Sequence, residues 1–76
     1  MRYLPTRTFY LNPDGPWNRY FIPEADIAFI RVTLDSDRKG FIEAGTKSDA
    51  EWCPSIANLD GTKDWKQVLA EAWIEL

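Results

Sequence analysis

The stretch Asp35-Ser36-Asp37-Arg38-Lys39-Gly40-Phe41-Ile42-Glu43-Ala44-Gly45 admits two readings that lead to different folds. Asp-x-Asp-x-x-Gly with an apolar residue at the eighth place opens like the calcium loop of an EF-hand. The same residues also suit the tip of a β-hairpin, with Asp and Gly making the turn and Phe41 entering a strand. Ligand chemistry decides against calcium. Counted from Asp35, the fifth place holds Lys39, whose ammonium repels a cation, and the twelfth holds Thr46 where a bidentate glutamate belongs. The residues upstream agree. Residues 26–34 alternate, with Ala28, Ile30, Val32 and Leu34 on one side and Ile27, Phe29, Arg31 and Thr33 on the other. Their β-branched members favour a strand, whereas an EF-hand needs a helix entering its loop. The expectation is a solvated turn over residues 35–40 leading into a strand at residues 41–44.

Outward from that hairpin, residues 6–11 and 17–22 are β-rich runs joined by Asn12-Pro13-Asp14-Gly15. Asn12 caps the turn through its side chain, Pro13 presets φ, Asp14 tolerates the bridge region and Gly15 accepts positive φ. A three-residue loop ending in Gly sets residue 11 opposite 17, 9 opposite 19 and 7 opposite 21. One face then carries Arg7, Phe9, Leu11, Trp17, Arg19 and Phe21, and the other Thr6, Thr8, Tyr10, Asn18, Tyr20 and Ile22. On the other side, Ser48-Asp49-Ala50-Glu51 has the form of a capping box, but Pro54 stops any helix within two turns. A short helix or irregular loop pinned by Trp52 is expected over residues 45–60. A longer helix is expected from Lys63 to about Glu75, capped by Thr62 or Asp60. Its stripe of Trp65, Val68, Leu69, Ala72, Trp73 and Leu76 follows helical spacing, while Ile74 falls on the opposite side as an isolated outward residue.

Together these elements predict a single α+β domain over residues 1–76: an antiparallel sheet of three or four strands, N-terminal hairpin first, with one C-terminal amphipathic helix on one face. At 76 residues, 45% of them hydrophobic, the chain has to stabilise a small core without covalent help, because Cys53 is its only cysteine and it has no histidine. Four tryptophans, four phenylalanines and three tyrosines carry the packing. No apolar run approaches the roughly 20 residues of a membrane span, and the first residues lack the apolar stretch of a signal peptide. A reducing cytoplasm is therefore the expected compartment.

Reactive side chains are scarce. The lack of histidine removes the commonest general base and the Ser-His and Cys-His pairs, and four scattered glycines form no phosphate loop. Cys53, between Trp52 and Pro54, reads as a small core residue, since a thiol nucleophile needs a cationic neighbour. No enzyme activity, cofactor or metal is expected. Charge is uneven: residues 1–34 sum to +1 and residues 35–76 to −4. That balance argues against direct nucleic-acid binding and towards a basic partner.

Aromatics on both sides of the first strands exceed what one helix covers. Either residues 46–60, with Trp52, fold over the remaining face, or that face binds a partner through the Tyr, Trp and Arg types that dominate interface hot spots. The functional expectation is a non-catalytic protein-interaction module, a small acidic inhibitor or regulator of the kind phages and mobile elements encode. It would act on another protein, one with a basic nucleic-acid-binding surface being a concrete case. Arg19, Tyr20 and Arg31 are the expected anchors, and Asp35, Asp37, Glu43, Asp49 and Glu51 the expected acidic patch. Two alternatives are an aromatic sheet that binds a small ligand or single-stranded nucleic acid and a structural homodimer.

Overall fold

The structure, a computed structural model, describes residues 1–76. In chain order the elements are β1 (Arg2–Pro5), β2 (Tyr10–Leu11), β3 (Trp17–Asn18), β4 (Phe21–Pro23), a 3-10 turn (Glu24–Asp26), β5 (Ile27–Leu34), β6 (Lys39–Thr46), β7 (Ser55–Asp60), α1 (Trp65–Ala72) and β8 (Ile74–Glu75). The α+β class is as expected. The single sheet is not: the strands divide into three antiparallel sheets, β4-β1-β8, β2-β3 and β5-β6-β7.

Residues 35–38 are the turn of the β5–β6 hairpin. Asp35 Oδ1 accepts the backbone N–H groups of Asp37 at 2.8 Å and Lys39 at 2.9 Å, and Arg38 takes a φ of 59° to close the loop. Gly40 lies opposite Leu34, where a Cβ would run into the Thr33 carbonyl, so the hairpin needs glycine there for close approach. In the β2–β3 turn, Asn12 Oδ1 accepts Asp14 N–H at 3.2 Å, Asn12 O accepts Gly15 N–H at 3.0 Å, and Gly15 has a φ of 145°.

Leu4 and Ile22 from β1 and β4, Ile42 and Ala44 from β6, and Ile56 and Leu59 from β7 form one buried cluster. The small β4-β1-β8 sheet thus shares its core with the inner face of β5-β6-β7, and α1 adds Trp65, Val68, Leu69 and Ala72 to the cluster. Full burial of a side chain such as Leu4 contributes about 1.5–3 kcal/mol.

The differences from the expected arrangement arise at three irregularities. The register 11 opposite 17 is present, but Thr6 pairs with Tyr20 and Pro5 with Phe21. Arg7, Thr8 and Phe9 therefore oppose Arg19 alone, and β2–β3 separates from β1–β4 as a distinct arm. Because two residues are inserted, the expected face partition survives. Thr6 and Ile22 are buried, while Arg7, Phe9, Leu11, Trp17 and Phe21 point out.

A second shift, between Ile27 and Phe29, turns Ile27 towards the core and leaves Ala28 exposed. The third falls opposite Ile42/Glu43, where β7 carries one extra residue, so Ile56 and Leu59 both reach the core at a spacing that alternation does not produce. Residues 55–60 are thus a strand and not a loop. The helix is shorter than expected, starting at Trp65 behind an Asp64 cap and ending at Ala72. Ile74, expected to project outward from the helix, instead sits in β8 opposite Tyr3 and is half-buried, and Leu76 is exposed. Arg2 fastens this corner: its guanidinium lies 4.2 Å from the Trp73 ring and pairs with Glu24. No helix is long and apolar enough to cross a membrane.

Candidate recognition surface on the hairpin arm

The β2–β3 arm has two unlike faces. On the outer face, Leu11 and Trp17 are a directly opposed cross-strand pair with Phe9 beside them, and they are 59%, 63% and 55% exposed. Arg19 is fixed at the base of this ridge, donating from Nε to Thr6 O at 2.6 Å with its guanidinium carbon 6.0 Å from the Phe9 ring centroid.

The inner face carries Tyr10 and Tyr20, with ring centroids 5.7 Å apart. Trp52 meets both, 5.6 Å from each centroid and at interplanar angles of 77° and 82°. The three rings and Asp49 line an open groove of about 300 Å³. Two buried threonines set its walls. Thr6 Oγ1 accepts Tyr20 N–H at 3.0 Å and donates to Thr8 O at 3.1 Å. Thr46 Oγ1 donates to Asp49 O at 2.8 Å and accepts Asp49 N–H at 3.3 Å, while Asp49 O also accepts Trp52 N–H at 3.1 Å. Each wall is thus tied to the body by a hydroxyl bridging backbone groups of its own loop.

The expected site residues do not gather in one place. Tyr20 and Asp49 meet at the groove. Arg31 lies on the outer face of β5, where Nε donates to Glu43 Oε1 of the directly opposite residue at 3.0 Å, with the guanidinium carbon 6.0 Å from the Phe29 centroid. The hydrogen bond to Glu43 is the largest of the effects holding that guanidinium in its protonated form. Asp35 and Asp37 occupy the turn before β6, and Asp49 and Glu51 the turn after it. An eight-residue strand of about 25 Å separates the two pairs, with Glu43 between them, so the acidic set is spread along the molecule. Cys53, expected in the core, is half-buried.

Tyr10 and Trp52 were not among the expected site residues. The sequence did carry part of the signal, since Tyr10 and Tyr20 share a hairpin face and Trp52 was the one bulky residue of its segment. What it lacked was the turn at residues 46–52 that swings Trp52 onto both tyrosines. Comparison with protein-family models, with curated proteins and with solved structures finds no match.

Proposed function

We propose that this protein is a non-catalytic interaction module, a small regulator or inhibitor that works by occupying a partner's surface through its β2–β3 arm. The observation that carries this reading is the ridge of Phe9, Leu11 and Trp17, three large apolar side chains more than half exposed on a projecting hairpin. Apolar side chains grouped on a surface in this way mark recognition sites, and Trp is among the residue types that dominate their energetics. Arg19, held rigid at the base of the ridge, loses little freedom on contact. The overall charge of −3 favours a basic partner, with the carboxylates acting along the length of the molecule.

The test is affinity capture from source-cell extract with the wild-type chain and with a Leu11→Ser/Trp17→Ser double variant, alongside thermal melts. Both substitutions are on exposed positions, so the melting midpoint should stay within about 0.5 kcal/mol of stability, while the specifically captured protein disappears. Equal capture by the variant refutes the ridge. Self-association that depends on Leu11 and Trp17 in a light-scattering dilution series would show the partner to be a second copy.

A further inference from the structure

The groove on the inner face has a chemistry of its own, separate from the apolar ridge and from any protein docked there. We propose that the Tyr10–Tyr20–Trp52 groove, flanked by Asp49, is a binding site for a methylated ammonium cation.

Three aromatic rings packed at steep mutual angles are the arrangement that surrounds a quaternary ammonium with negative ring faces. The spacing suits such a guest. With the centroids 5.6–5.7 Å apart, ideally perpendicular rings would define a corner point about 4 Å from every centroid, inside the roughly 6 Å range of the cation–π attraction. The two angles made by Trp52, 77° and 82°, are close to that ideal, and the tyrosine pair departs from it at 56°.

Asp49 supplies the charge. Its carboxylate takes part in none of the ion pairs of the molecule, and one oxygen accepts only Glu51 N–H at 3.1 Å. The groove is therefore an apolar, ring-lined space with one uncompensated negative group on its lining, and the complementary ligand is cationic with an apolar surface.

Other ligands fit the lining less well. A sugar ring needs several hydrogen-bond partners around its edge, and the side chains here offer only the Asp49 carboxylate, two tyrosine hydroxyls and the Trp52 indole N–H. A nucleobase brings a phosphate, which Asp49 repels. A bare ammonium carries three N–H donors that one carboxylate cannot satisfy, so it stays in water. Methylation replaces those donors with apolar surface and keeps the charge. The same chemistry occurs in a methylated lysine of a protein tail and in a free quaternary ammonium, and the test below separates the two.

Choline and its neutral isostere 3,3-dimethylbutan-1-ol differ only in the charged nitrogen. In two-dimensional NMR titrations of the intact chain at constant ionic strength, choline should shift the resonances of Tyr10, Tyr20 and the Trp52 indole saturably, and the isostere should bind about tenfold more weakly. Trp52→Leu should weaken choline binding by about three- to thirtyfold. Asp49→Asn keeps the shape of the side chain, leaves the melting temperature in place, and should weaken binding by about threefold or more. A basic peptide carrying trimethyllysine, run against its unmethylated twin, identifies the source: tighter binding than choline assigns a protein tail, and weaker binding assigns a free cation.

Equal affinity for choline and the isostere, or choline shifts confined to residues outside the groove, overturns the assignment. The Leu11→Ser/Trp17→Ser variant should bind choline like the wild type, so failure of the ridge and failure of the groove are read independently.

Discussion

Two threonines fix the walls of the groove. Thr6 and Thr46 are almost fully enclosed, and each satisfies its hydroxyl on backbone groups of the segment it holds. Thr46→Val preserves volume but leaves Asp49 N–H without its partner, and should cost about 1–2 kcal/mol in urea denaturation. It should also release Trp52, seen as loss of the ring-current shifts on Tyr10 and Tyr20, whereas Thr46→Ser should retain both. Thr6 was legible in the sequence to the extent that its face could be assigned. Thr46 was legible only as a missing calcium ligand, because its partner Asp49 lies in a turn whose geometry depends on the strand after it.

At the level of elements, the regular parts of the chain were readable and the irregular parts were not. Alternation located β5 and β6, and turn chemistry located both hairpin tips, since each follows from side-chain rules acting over a few residues. A bulge leaves no comparable mark, and a one-residue bulge inverts the assignments on its far side. That is why Ile27 changed sides and why Ile56 and Leu59 did not read as a strand, while the two-residue insertion opposite Arg19 parted β2–β3 from β1–β4 without changing their faces. The helix was overextended for a different reason. Trp73 and Leu76 continue the helical stripe, but Ile74 gains a strand partner in Tyr3, and tertiary pairing outweighs propensity over the last turn. The β5–β6 hairpin offers the sharpest test at this scale. Gly40→Ala places a methyl group against the backbone carbonyl of Thr33, which cannot move aside as a side chain would, and should destabilise the fold by about 3 kcal/mol or more in chemical denaturation.

Across the whole molecule, the dimensions are 41 × 24 × 22 Å and the Cα radius of gyration is 12.9 Å, against about 11.4 Å for a compact chain of this length. The excess reflects an elongated body whose charges lie mostly at its surface. Three of its carboxylates are held below their ordinary range: Glu24 by its hydrogen bond from Arg2, Glu71 by that from Lys63, and Asp60 by those from the hydroxyl and N–H of Thr62. Each lowered value means that the folded state binds the proton less readily than the unfolded state. Their stabilisation is complete above about pH 5 and is lost as pH falls through the depressed values. Circular-dichroism melts between pH 6 and 2, taken here as roughly the span of carboxylate titration, should show a falling midpoint. High salt should remove the parts due to Glu24 and Glu71, which are exposed ion pairs, and leave that of Asp60.

The junction where Arg7, Thr8 and Phe9 face Arg19 alone also makes the molecule a kind of calliper. One jaw, with Tyr10, belongs to the arm, and the other, with Trp52, is anchored to the body through Thr46. The gap between them is therefore the arm's angle expressed as a width. The bond from Arg19 to the Thr6 carbonyl lies at the junction itself, so the geometry of that junction sets the spacing of the jaws.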